Sequence, residues 1–342
     1  MCREGWSAGG TPIGAALTGA GFVGGLGLTL AASELMARGL TRLGVKLGLS
    51  DGLLGLLAAL GADAPELSSA VIAILAGAGS VGVGVVVGSN LFNLAALLGF
   101  SSLLVGGIRM RRGPLLLDAG AGVALALVTA AMVAGLASAA VAAVPAFVLG
   151  AGYVVVLAAP GRWRARLGGL RSGAPESLNE VAYEVSHDMP VAIHHSWLPV
   201  LLLPAAVAGV IAGSFAMVHA ALAAAPSLHM SQDVLGIVVL AALTSLPNLW
   251  VALHFARNDR GTALFSAAMN SNSINLIGGL IVPALFTGTA SARGALGPFV
   301  LLVTLTLAAT LLPLPRGHLG RFAGAVIVAP YLVFAALKLA GG

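Results

Sequence analysis

Two carboxylates, Asp63 and Glu66, lie three positions apart about halfway along an apolar stretch of the sequence. That spacing puts both on one face of a helix. An isolated carboxylate at such a depth in an apolar span costs at least about 2.5–3.5 kcal/mol. It is therefore protonated, paired or bound to a cation. No Lys or Arg falls at the centre of any apolar stretch, which leaves protons and metal ions. The plainer alternative is a protonated acid hydrogen-bonded to a neighbouring helix.

Oxygen-bearing side chains recur in the same register. Ser89 and Asn93 are four apart and share a face; further on, Thr244 and Ser245 precede Asn248, and Ser271 and Asn275 repeat the Ser89–Asn93 spacing. All offer hard oxygen donors. Ca2+ takes about six to eight oxygens from carboxylates, carbonyls and amides. With no thiolate or imidazole in the set, Zn2+ and copper are disfavoured. Asn90, Asn270 and Asn272 have another use open to them, joining helices by hydrogen bonds.

The elements that position these residues are membrane helices. Of 342 residues, 58% are hydrophobic and 8% charged, against about 25% charged in a soluble domain. So little polar surface cannot coat a water-soluble globule. Lipid-facing backbone must satisfy its own polar groups, and the apolar runs lack the alternation of barrel strands. Helical spans need roughly 20 apolar residues, and ten are expected, near 12–36, 52–77, 81–106, 115–134, 138–160, 198–222, 232–256, 261–287, 295–313 and 319–341. Residues 161–197 form the one long polar stretch, read as a loop. Cys2 is the lone cysteine, so no intrachain disulfide exists. The opening MCREGWSAGG lacks the pattern of a cleaved signal. The first helix is expected to act as its own insertion signal.

The basic residues orient the chain. With the N-terminus outside, 14 of the 17 Lys and Arg fall on the cytoplasmic side, leaving only Arg3, Arg293 and Lys338 outside. Positive residues stay cytoplasmic during insertion, so the asymmetry supports ten spans with both termini outside. It also explains the net charge of +5 without nucleic acid.

Two segments repeat. GADAPELSSAVIAILAGAGSVGVGVVVGSNLFN starts at Gly61 and LTSLPNLWVALHFARNDRGTALFSAAMNSNSIN starts at Leu243. Glu66 aligns with Asn248, Ser89 with Ser271 and Asn93 with Asn275, each pair 182 apart. In the expected topology the copies run in opposite directions, an inverted repeat of the kind that holds a transport site at the membrane midplane. Pro65 and Pro247 are equivalent and each frees a carbonyl, which must be satisfied by protein, water or an ion.

The motifs GADAPEL with VVVGSNLFN, and LTSLPNL with MNSNSIN, resemble the two α-repeats of the Ca2+/cation antiporter superfamily, the sodium/calcium exchanger type. The family pattern is roughly G-T-S-x-P-E, followed 23 positions after the Glu by the Ser of G-S-N-x-F-N; both copies keep that interval. The resemblance implies an all-α polytopic membrane protein of two inverted five-helix halves. These would be 1–160 with the first repeat at 61–99, a cytoplasmic loop at 161–197, and 198–342 with the second repeat at 243–279. It carries ligand roles over to Glu66, Ser89, Asn93, Thr244, Ser245 and Ser271. The chain departs from the pattern at Ala62-Asp63, where the family has Thr-Ser, and at Asn248, where it has a second glutamate. It departs also at Asn275, an acid in some members, and at Asn270, a glycine in the family.

Other candidates are weaker. His187, His194 and His195 read as solvated loop residues, and His254 as lying near the cytoplasmic mouth. Glu34 is expected to snorkel or hydrogen-bond near the end of the first helix. Asp118 is expected to begin the fourth helix, where an acid suits the dipole. No nucleotide motif occurs, no cofactor is called for, and the two acids of one helix make a poor enzyme dyad.

The expected function is thus secondary antiport of a cation, Ca2+ against H+ or Na+, in the plasma (inner) membrane. Monovalent cation/H+ antiport and a non-transporting scaffold or sensor are the alternatives, and the partners are inorganic cations and membrane lipid. In a chain with Cys2 replaced by serine, cysteines introduced at Ser172 and Ser291 should label from opposite sides of the membrane. Same-side labelling contradicts the topology.

Overall fold

A computed structural model describes residues 12–47, 51–158, 197–259, 261–287 and 295–341. Helices dominate these residues, as the need to satisfy every backbone group in lipid requires. In chain order they are α1 (Pro12–Lys46), α2 (Asp51–Ala62), α3 (Ala64–Leu75), α4 (Gly79–Phe92), α5 (Arg112–Val133) and α6 (Ala139–Ala158). After the long loop come α7 (Leu203–Ala224), α8 (Gln232–Thr244), α9 (Leu246–Arg257), α10 (Gly261–Ile274), α11 (Leu296–Leu311) and α12 (Arg321–Gly341). Among the described residues six helices are long and apolar enough to cross a membrane. The pair α8–α9, bent by 44°, makes a seventh if taken as one span. The chain is a predominantly helical membrane protein of the all-α class, and its polarity is inverted accordingly. Val144, Val148, Val155, Phe322 and Leu337 face outward, whereas Asp63, Glu66, Ser89, Asn90 and Asn93 are fully buried.

The repeat seen in sequence is a repeat of helix boundaries. Ala64, Leu75, Gly79, Phe92 and Asn93 each begin or end an element, as do Leu246, Arg257, Gly261, Ile274 and Asn275, 182 positions later. Both copies break before the proline, at Asp63 and at Ser245. Both also continue from α4 or α10 into a π-helical segment, Asn93–Phe100 or Asn275–Ile281. A π turn holds an extra residue and shifts which side chains face inward, which is why such turns recur at functional sites.

The first break carries its own repair. Pro65 has no N–H to give to the carbonyl four residues back, that of Gly61. The Ser33 hydroxyl of α1 donates to Gly61 O instead, at 2.6 Å. The freed carbonyl is therefore capped by protein. Gly61 packs directly on Ala37 of α1, so a side chain there has no room. α1 is longer than expected, running to Lys46 rather than ending near 36. Along that extension Arg38 pairs with Glu34 at 2.7 Å, and the Lys46 ammonium lies 3.5 Å over the Trp197 ring. α1 and α7 meet backbone to backbone, with Gly25 against Gly213 and Met217.

Two three-residue strands add to the helices. β1 (Gly107–Arg109) pairs antiparallel with β2 (His318–Gly320), with buried Ile108 opposite buried Leu319. Gly107 has φ +132 and Gly317 φ +60, backbone that a side chain disfavours. Arg111 N donates to Thr262 Oγ1 at 3.0 Å, and the Arg112 guanidinium donates to Pro315 O. The basic segments at 109–112 and 316–321 thereby gather at one end of the molecule, beside Gly261 and Thr262. At the other end Ser80 Oγ donates to Gln232 Oε1 at 3.0 Å.

A buried carbonyl stripped of its donor costs about 1–3 kcal/mol. Ser33→Ala should therefore lower the thermal midpoint of the detergent-purified protein, and Ser33→Thr, which keeps a hydroxyl, should restore most of it. Equal midpoints for all three proteins contradict the capping role.

Candidate cation-binding site

The site is built at the two helix breaks. Asp63 occupies the N-cap position of α3 without a side-chain capping bond, and Glu66 sits in the first turn, behind Pro65. α9 starts equivalently, with Pro247 at its second residue and Asn248 at its third. A helix N-terminus carries partial positive charge from its unpaired N–H groups. Two such ends lie beside the two carboxylates.

The side chains interlock. Asp63 Oδ1 accepts from Ser271 Oγ at 2.7 Å and from Asn248 Nδ2 at 2.8 Å. Glu66 Oε1 accepts from Ser245 Oγ at 2.6 Å and from Asn248 Nδ2 at 3.3 Å. Asn93 Nδ2 donates to Ser271 Oγ at 2.8 Å. Asp63, Glu66, Asn93 and Ser245 are wholly inaccessible, and Asn248 and Ser271 nearly so. Among the described residues no Lys, Arg or His pairs with either acid.

The pseudo-two-fold axis passes through this cluster. Asn90 Nδ2 donates to Asn272 O at 3.1 Å, and Asn272 Nδ2 donates back to Asn90 O at 3.3 Å. These residues are 182 apart, so equivalent atoms meet across the axis. Glu66 and Asn248 are also equivalent and also touch. Asn90 and Asn272 are thus the clasp between halves, and the acids lie at the same seam.

Several buried polar atoms go unpaired: Asp63 Oδ2, Glu66 Oε2, Ser89 Oγ, Asn93 Oδ1, Ser69 Oγ and both ends of the Asn275 amide have no hydrogen-bond partner. Asn275 lies within interaction range of Glu66, but its amide makes no well-formed hydrogen bond. Buried polar groups are almost always paired. The unpaired Asp63 Oδ2 and Glu66 Oε2 are the oxygens that a cation or proton would complete. Thr244 differs from expectation, because its hydroxyl turns back to Leu240 O at 2.9 Å. Asn248 differs too: it presents its amide nitrogen, not its oxygen, to the acids. Facing acceptors on both sides, only the nitrogen can be there.

Some polar residues were not read as part of any buried network. Ser69 lies one turn beyond Glu66 on the same face, and that spacing was its only signal. Asp118 does not begin its helix. It lies inside α5, nearly buried, accepting from Tyr153 Oη at 3.0 Å and from Ser266 Oγ. Asn270 lies within interaction range of Tyr153. His187, His194, His195 and the side chain of His254 lie outside the described residues.

Comparison with known proteins agrees with this architecture. The family described as "Sodium/calcium exchanger protein" matches residues 17–160 and 198–340. A curated relative, a putative antiporter CaxA from Alkalimonas amylolytica, is 39% identical over 85 residues. The matched part is 25% of this chain and 27% of that relative, so the chain spans about a quarter of its length. Solved structures of the sodium-calcium exchanger NCX_Mj share the fold. One soaked with 2.5 mM Na+ and 10 mM Sr2+ has TM-score 0.60 at 22% identity, covering 94% of this chain and 98% of that one. One soaked with 2.5 mM Na+ and 0.1 mM Sr2+ has TM-score 0.60 at 23% identity over the same shares. The match to the family spans both halves of the sequence, and the chain belongs to the sodium/calcium exchanger protein family.

Proposed function

We propose that the chain is a secondary active cation antiporter exchanging Ca2+ for H+ or Na+, with the Asp63–Glu66 centre as its binding site. The observation that carries this reading is the pair of buried carboxylates, each leaving one oxygen without a donor, in a shell of hydroxyl and amide groups. Ser89, Asn93, Ser245, Ser271 and Asn275 supply further oxygens, and Thr244 joins when its hydroxyl turns inward. Asn248 bridges both acids through its nitrogen and so stands where a cation would. Loading the site then means turning that amide so that its oxygen faces the ion. The two halves meet at this seam and expose it alternately to each side. The family membership supports the reading, as do the relative described as a putative antiporter and the exchanger structures soaked with Na+, Ca2+ and Sr2+.

The proposed setting is the plasma (inner) membrane, with ten spans in two five-helix halves, both termini outside, and the basic end of the molecule cytoplasmic. Transport needs inorganic cations and lipid, without nucleotide or cofactor. Flux into proteoliposomes, with Ca2+, Na+, K+ and pH gradients varied one at a time, tests the reading. One observation favours monovalent cation/H+ antiport as the second reading: neutral Asn248 stands where the family has a second glutamate. Absence of any flux would leave the scaffold or sensor role.

Glu66→Gln should abolish flux while leaving the protein folded. Removing one charge from a buried pair costs about 2–5 kcal/mol, at least ~30-fold in affinity. Asp63→Asn should weaken divalent binding more than monovalent binding. Wild-type flux in Glu66→Gln overturns the site assignment.

Charge sets the stoichiometry. Two carboxylates neutralise one divalent ion, two protons or two Na+. Three Na+ would leave an uncompensated positive charge in a low-dielectric centre, which is costly. Exchange should therefore move little net charge, and Asn248→Glu should raise Na+ affinity or voltage sensitivity. Flux under an imposed potential checks this; strong voltage dependence in the unmodified protein contradicts it.

A further inference from the structure

A third buried carboxylate lies apart from the centre. Asp118 is enclosed by α5, α6 and α10 and is almost inaccessible. Tyr153 of α6 donates to one of its oxygens and Ser266 of α10 to the other. Among the described residues no basic side chain pairs with it. The elements packed against α5 are α6, α10, α11 and the π-helical Asn275–Ile281. Their sequences hold one titratable or charged group, Tyr153. On α5 itself the only others are the basic residues at its start, Arg112 preceded by Arg111. An ionised carboxylate in apolar surroundings with no positive neighbour is costly.

The surrounding hydrogen bonds accommodate both forms. With Asp118 ionised, the Tyr153 and Ser266 hydroxyls donate to its two oxygens. With Asp118 protonated, its own O–H donates to the Tyr153 or Ser266 oxygen, and that hydroxyl gives up its bond in exchange. One proton enters from hydronium, water leaves, and no other covalent bond changes. Asp118 lies six residues past Arg112, roughly 9 Å along the helix, at the end where the basic segments gather. Ser266 shares α10 with Ser271, whose hydroxyl donates to Asp63. Three side chains with a single carboxylate fall short of the oxygen shell that Ca2+ requires, which leaves the proton as the fitting occupant.

We propose that Asp118, held by Tyr153 and by Ser266 of α10, the helix that also bears Ser271, is a separate proton-binding site that couples the exchange to pH. The site itself stands on the geometry of this cluster, and its coupling role rests on the antiport reading. Infrared difference spectra of the full-length protein in lipid vesicles, stepped in pH, read the acid directly. A protonated-carboxyl C=O band should titrate as a single proton. It should be lost in Asp118→Asn, shifted in Tyr153→Phe, and retained in the Asp63→Asn/Glu66→Gln double variant. In the same vesicles, cation flux driven by a Na+ gradient should have a changed pH profile in Asp118→Asn, the part of the dependence that titrates with the carboxyl band being lost. If that variant does not assemble, the Tyr153→Phe shift and its altered pH profile decide. A band that never titrates while the protein stays folded, a band displaced by Na+ rather than by raised pH, or an unchanged pH profile in Asp118→Asn overturns the proposal. Wild-type vesicles with a titrating band but no flux would instead retire the antiport reading and leave the proton site standing.

Discussion

Everything in this molecule is arranged around carboxylates placed where water cannot solvate them. Asp63 and Glu66 sit three residues apart at the seam of two half-molecules, with no basic side chain to neutralise them. In lipid surroundings such a pair is tolerable only with polar partners on every side and a cation or proton in exchange with it. The helix breaks, the facing N-termini of α3 and α9 and the shared asparagine clasp all answer that one demand.

Inverted duplication supplies the partners economically. A single sequence element, placed twice in opposite directions, brings a proline break, a serine and an asparagine to the axis from each side. The copies have then diverged where symmetry is not wanted. Both acids belong to the first repeat, whereas the second contributes Ser245, Asn248 and Ser271 as donors to them. Asn248 is the clearest product of that divergence. Its amide nitrogen satisfies both acids at once, a configuration that a second glutamate could not adopt without adding charge.

Much of this was legible in the residues. The constant interval of 182, read from three residue pairs, recurs in the helix boundaries of the repeat, although the breaks at Asp63 and Ser245 fall inside what read as continuous spans. Asp63, Glu66, Asn93, Ser245, Asn248 and Ser271 were legible as one centre from their spacing together with the family resemblance. What could not be read was the direction of each polar group. Whether Thr244 turns to the centre or back to Leu240 O, and whether Asn248 offers nitrogen or oxygen, depends on three-dimensional neighbours that no spacing encodes. Ser33 was invisible for the same reason, since its partner is a carbonyl 28 positions away. Asp118 was misread because the helix start was placed at 115 rather than at Arg112, which turned a buried acid into a helix cap.

The central claim is that a cation replaces the Asn248 amide nitrogen between Asp63 and Glu66. The most direct measurement is anomalous diffraction from crystals of the protein soaked with Sr2+. The account predicts a peak about 2.3–2.6 Å from oxygens of both carboxylates, with the Asn248 oxygen turned toward it. A soak that leaves the nitrogen bridging the two acids, with the anomalous peak elsewhere or missing, would contradict it.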